Sequence, residues 1–256
     1  MPKTSSCCEK TAPVIALEID ACGLQCPGPI MQLKKAVDTL QIGQAVAIKA
    51  SDPGFAMDAP AWCRATGNEL VSLEEAGRTI RAVIAKGTGP AAVAVGATGG
   101  KRKMTNVVFS NDLDKAMANL IIANGAASAG FDVTLFFTFW GLSLLRKPEA
   151  PPVQKNIVER MFGMMLPKGP KGLKLSKMHM AGMGTMMMNQ VMAQKNVSTL
   201  DELFRVALAN GVKLVACTMT MDVMGLKREE LIDEVQLGGV AAYIEELSQS
   251  QAGLFI

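Results

Sequence analysis

Aromatic side chains are few in this chain of 256 residues: one tyrosine, two tryptophans and nine phenylalanines, 5% of the total. Proteins that hold single-stranded nucleic acid stack bases on such rings and line the path with cations. Here the net charge is only +3, and the cluster Lys101, Arg102, Lys103 extends into no longer basic run. Nucleic-acid binding is therefore not expected. Histidine occurs once, at His179, with no Asp or Ser partner at a recognisable spacing, so a catalytic triad is unsupported. No G-x-G-x-x-G run marks a nucleotide-binding turn, and neither a cofactor nor a metal is expected. The strongly apolar run 133–145 falls short of the roughly 20 residues that a membrane span needs. It reads as a strand followed by a helix start, or as a buried contact in an oligomer. The first residues, among them Pro2, Lys3, Ser5, Cys7 and Cys8, lack the apolar core of a secretory signal. Six cysteines in this length are too sparse for a disulfide scaffold. Reduced thiols in a cytoplasm are the expectation.

The length favours two domains, and the patterning divides accordingly. Gly, Ala, Pro and Thr dominate from Thr88 to Gly100, ahead of the three basic residues, so 88–103 reads as a flexible linker. It separates a domain at 13–87, preceded by a disordered tail at 1–12, from a second domain at 104–256. In the first, Ile15, Leu17 and Ile19 alternate with Ala16 and Glu18, as in a half-buried strand. Helical spacing from Ile30 to Leu40, a strand at 45–50, a helix including 60–66 and strands at 69–73 and 79–84 complete the order βαβαββ. That order predicts a two-layer sandwich with one helical face. In the second domain, strands are expected at 106–110, 133–137 and 213–219, with helices at 113–129, 154–164, 182–195, 200–210 and 240–247. This alternation predicts a three-layer α/β fold with a mainly parallel sheet. Such sheets bind ligands beyond the carboxyl ends of their strands, and Cys217 falls near one of those ends.

Chemistry concentrates on Cys26, which opens the run Cys26, Pro27, Gly28, Pro29 directly before the first helix. A cysteine at a helix start meets unpaired backbone N–H groups and the positive end of the dipole, which lower a thiol pKa. Lys34 and Lys35 add positive charge nearby. The bland alternative is a small buried cysteine beside two helix-starting prolines.

These residues, with Asp20, Gly23 and Leu24, resemble the signature of TusA-type sulfur carriers over about 13–87. The second half, from about Thr105 onward, resembles the DsrE/DsrF-like sulfur-relay fold. Trp140 and Gly141 after a strand, the stretch around Met183, Gly184 and Met186, and Leu214 through Gly225 with Cys217 carry that likeness. The resemblance implies that Cys26 carries sulfane sulfur as a persulfide and that Cys217 is a second sulfur-accepting residue. It also implies partners: donors such as a rhodanese or a disulfide or polysulfide reductase, and acceptor protein thiols. Cys26 is expected to ionise more readily than Cys217 and to load first.

Cys22, four residues before Cys26, reads either as its disulfide partner or as a packed loop residue. Cys63 reads as core, and Cys7 and Cys8 as without a role. Met178, His179, Met180, Met183, Met186, Met187, Met188 and Met192 form a cluster whose thioethers suit Cu(I). The competing reading is a buried or subunit-facing helix. The expectation is thus a cytoplasmic, homo-oligomeric sulfur-relay protein. The alternatives are a non-catalytic oligomeric binding or scaffold module and a methionine-rich Cu(I)-binding protein.

Overall fold

Two sheets organise the chain. The computed structural model describes residues 13–88 and 101–256; Cys7, Cys8 and most of the expected linker lie outside the described residues. In the first unit, β1 (Ile15–Ala21) leads into the loop bearing Cys26. Next come α1 (Gly28–Thr39), β2 (Ala45–Ala50), α2 (Phe55–Thr66), β3 (Glu69–Ala76) and β4 (Thr79–Ala85). The sheet order is β1-β2-β4-β3, with β1 and β2 parallel and the other pairs antiparallel. Val46, Ile48 and Ile84 on one face of the sheet meet Leu33, Val37, Phe55 and Trp62 from the two helices, which gives the expected sandwich. The alternation in β1 does not bury Ile15 and Leu17, which are exposed. A register shift between these residues breaks the pairing at the sheet edge, and Ile19 alone of the three packs on the core.

The second unit is a five-stranded, fully parallel sheet in the order β8-β7-β6-β5-β9. Its strands are β5 (Lys103–Val108), β6 (Asp132–Phe137), β7 (Lys213–Cys217), β8 (Val235–Gly238) and β9 (Ala252–Phe255). Helices α3 (Leu113–Ser128) and α6 (Leu200–Ala209) share one core with Leu135, Phe137, Leu214 and Ala216. On the opposite face the Phe136 ring lies 5.1 Å from Tyr243 of α8 (Val240–Ser248). Helices on both faces make the three layers. Between β6 and α6 the chain makes a long excursion that includes α4 (Ile157–Met165) and α5 (Met183–Gln194).

Four expectations change. The strand read at 106–110 begins at Lys103 and ends at Val108, so the end of the supposed linker is ordered structure. The strand read at 213–219 stops at Cys217, because α7 (Thr218–Met224) starts immediately and is closed by Gly225 at φ +63, a left-handed glycine cap. Strands β8 and β9 went unread: each has four residues, sits at a sheet edge and lacks a buried alternation. Finally, α5 has no buried residue at all. Met183, Met186, Met187 and Met188 form an exposed surface while Met192 packs partly buried against the core, so the helix is not buried within this chain.

Candidate functional site

Cys26 lies exposed in the turn between β1 and α1. The prolines that start the helix also strip it of donors. Pro27 and Pro29 have no N–H, and the Gly28 N–H donates to the Gln25 carbonyl at 2.7 Å. Three of the N–H groups expected at this helix start, those of positions 27, 28 and 29, are therefore missing or spent. Lys34 is spent too, in an ion pair with Asp38 at 2.7 Å. The neighbouring charges are negative instead: although the residue is exposed, its sulfur borders the groove and is partly desolvated there, which raises the thiol above its ordinary range, and Asp58 and then Asp52 push it further. The expectation of an acidic Cys26 is corrected here.

Asp52 and Asp58 are the residues that the sequence reading missed. Asp52 was legible only as the start of a turn, where its carboxylate accepts the Gly54 N–H at 3.1 Å. Asp58 lies in the first turn of α2 and carried no motif. Burial and Asp52 hold its carboxyl above the usual range.

The groove beside Cys26, about 270 Å³, has walls from both units. The first contributes Cys26, Ile30, Asp58 and Trp62, and α3 contributes Ile121 and Gly125, with Ala129 from its C-cap. Its end is tied by three hydrogen bonds. The buried Trp62 indole N–H donates to the Ser128 carbonyl at 2.6 Å. Arg102 Nη2 donates to the Ala65 carbonyl at 2.6 Å and the Ala129 carbonyl at 2.7 Å. The guanidinium thus sits where α2 and α3 both end, against the negative poles of two helix dipoles, with Cζ 4.3 Å from the centre of the Phe131 ring.

Cys217 is elsewhere. It occupies the last position of β7 and the cap position of α7, and is 5% exposed. Leu214 and Ala216 point into the core under α3 and α6, so strand alternation puts Cys217 on the other face of the sheet. Cys26, on the outer side of α3, and Cys217 are separated by a helix layer and a sheet. Cys22 is a free, exposed thiol, neither bridged nor packed. Its bond to Asp20 raises its pKa. Cys63 is core as expected, pushed up by burial to about 11. His179 lies 3.2 Å from the Thr185 hydroxyl. Among the described residues no three His, Cys, Asp or Glu side chains gather as a metal-binding group, and no helix is long and apolar enough to cross a membrane.

Comparison with known proteins follows the same division. The model of the DsrE/DsrF/DrsH-like family matches residues 101–255, and that of sulfurtransferase TusA matches 17–86. Uncharacterized protein YrkE of Bacillus subtilis (strain 168) is 52% identical over 155 residues, spanning 60% of this chain and 97% of that protein. Sulfur carrier protein DsrE2 of Allochromatium vinosum is 35% identical over 163 residues, spanning 61% of this chain and 99% of its own length. Sulfur carrier protein TusA of the same organism is 41% identical over 69 residues, 27% of this chain and 91% of that protein. This chain belongs to the DsrE/DsrF/DrsH-like family, with a TusA-type domain fused ahead of it.

Proposed function

We propose that this chain relays sulfane sulfur as a cysteine persulfide on Cys26, with Cys217 as a second carrier, between protein thiols in a cytoplasm. The observation that carries the reading is an exposed, unbridged Cys26 at a strand–helix junction, within the segment that matches TusA. The Cys26 thiolate attacks the terminal sulfur of a donor persulfide. A bond forms between Cys26 Sγ and that sulfur, the donor's S–S bond breaks, and the donor leaves as a thiolate. An acceptor thiolate then repeats the attack, forming its own persulfide and releasing the Cys26 thiolate. Electrons and sulfur balance at each step without a cofactor. Donors of this chemistry are a rhodanese or a disulfide or polysulfide reductase, and the acceptors are protein thiols.

The units proposed for this work are 13–87 and 104–256. The second also self-associates, on the strength of its exposed apolar surface: Met161, Met164 and Met165 on α4, and Met183, Met186 and Met187 on α5. Surfaces of this kind mark interfaces. The low exposure of Cys217 favours one second reading, in which the C-terminal domain docks partners without carrying sulfur.

Mass spectrometry after incubation with polysulfide, or with a persulfidated rhodanese, tests the proposal. The expected result is a gain of one sulfur mass at Cys26, reversed by dithiothreitol and absent in Cys26→Ser. No adduct at Cys26 removes the reading.

A further inference from the structure

We propose that α3 is a built-in occupant of the Cys26 docking face, latched by Arg102, and that a protein partner reaches that face only when the latch opens. The proposal rests on Cys26 being the exchanging thiol. It adds that the second domain controls which molecules can meet it.

The stripe Ile121, Gly125, Ala129 recurs every four residues, so it lies along one side of α3. That side faces Cys26, Ile30 and Trp62 across the groove, and Ala129 packs onto the core of the first unit. Gly125 at the middle of the stripe leaves the groove open: a Cβ at this position would meet no atom within 4 Å. Cys26 remains exposed to solvent, and small molecules reach it. A folded protein needs more: it must seat a surface of several hundred Å² on the same side chains, and α3 already covers part of them.

The closure is held at one end by directional bonds. Trp62 donates to Ser128, and Arg102 bridges the carbonyls of Ala65 and Ala129. Each bond from the guanidinium is charge-assisted. Removing Arg102 leaves carbonyls at two helix ends that water can satisfy, so its loss favours opening rather than unfolding. The closed arrangement also keeps Cys26 and Cys217 on opposite sides of the α3–α6 layer, which bars direct exchange between the two within one chain.

The test compares probe sizes on the full chain with Cys7, Cys8 and Cys22 replaced by serine, using Cys26→Ser on that background as the blank. N-ethylmaleimide reports access of a small molecule to Cys26, and a long polyethylene glycol maleimide reports access of a large one. Arg102→Ala is expected to raise the large-probe rate about tenfold, the effect of losing one or two charge-assisted hydrogen bonds from a closed state. The small-probe rate should stay within about a factor of two. Gly125→Glu places a carboxylate in the open groove beside Asp58 and should act in the same direction. Equal large-probe rates in the parent and both variants would overturn the latch. These labelling rates need only a thiol, so they stand apart from the sulfur-loading experiment, whose failure would remove the carrier reading and leave the latch intact.

Discussion

Asp58 shares the groove with Cys26, and its carboxylate opposes formation of the thiolate there. Asp58→Asn removes that opposition. The Cys26 thiol pKa should fall towards its ordinary value, although burial keeps it from falling the whole way. Alkylation of Cys26 at neutral pH should accelerate severalfold, and the pH profile should shift to lower pH. Thiolate absorbance, taken as a difference against Cys26→Ser, measures the shift. An unchanged profile would show that Asp58 does not act on the sulfur. The substitution should not cost stability. The Asp58 carboxyl titrates above its unfolded value, so its stabilisation is complete below the unfolded value and lost as pH rises through the folded one. At neutral pH an asparagine is neutral or better.

Access, rather than acidity, should decide which cysteine loads first. Cys26 is exposed while Cys217 is 5% exposed. Iodoacetamide added to the native chain should modify Cys26 at least about tenfold faster than Cys217, with the difference vanishing in urea. Peptide mass spectrometry reads both sites at once. Comparable native rates would mean that α7 opens readily.

The excursion from the second sheet is pinned by buried charge. Glu230 pairs with Lys155 at 2.6 Å and lies 3.6 Å from Arg146, which also donates to the carbonyls of Gly163 and Leu166. All three side chains are less than a tenth exposed. Glu230→Gln leaves two buried cations without their anion and should cost about 3–5 kcal/mol. Urea unfolding measures the loss, and a change under about 1 kcal/mol would show that water reaches this cluster.

Self-association through the methionine surface predicts a concentration-dependent mass. Light scattering should give a species larger than the monomer at micromolar concentration, and Met183→Glu with Met187→Glu should dissociate it. Both residues are more than half exposed in the single chain, so the pair should leave the melting temperature nearly unchanged. A monomeric parent would end the proposal.

The elements with strong local signals were legible in the sequence. The segment Ala45–Ala50 was read with its observed ends, and the ends of α2 and α3 were marked by Gly67 and Gly130 at positive φ. Thr218 and Met219 read as the end of a strand, yet they open a helix that Gly225 closes. Methionines in α5 matched a buried pattern because hydropathy cannot say whether a partner covers a face. The position of Cys26 was readable, but its electrostatics were not. A helix start implies donors in general; Pro27 and Pro29 already announce two missing N–H groups, but only the structure shows that the Gln25 carbonyl takes the Gly28 N–H. Arg102 was hidden for a related reason: composition assigned it to a linker, while its partners Ala65 and Ala129 are backbone carbonyls, which no residue pattern announces.

Helix α3 packs on two sides, with Lys115, Ala118 and Ile122 facing solvent between them. Ala116, Leu120, Ala123 and Ala127 belong to the core of the second sheet, while Ala129 joins the core of the first and Ser128 receives the Trp62 bond. The two hydrophobic cores therefore touch a common rod, and melting either one strips contacts from the other. Cooperativity passes from one half of the chain to the other through this single element. The exposed Cys26 thiol on one unit and the folding equilibrium of its neighbour become properties of the same helix.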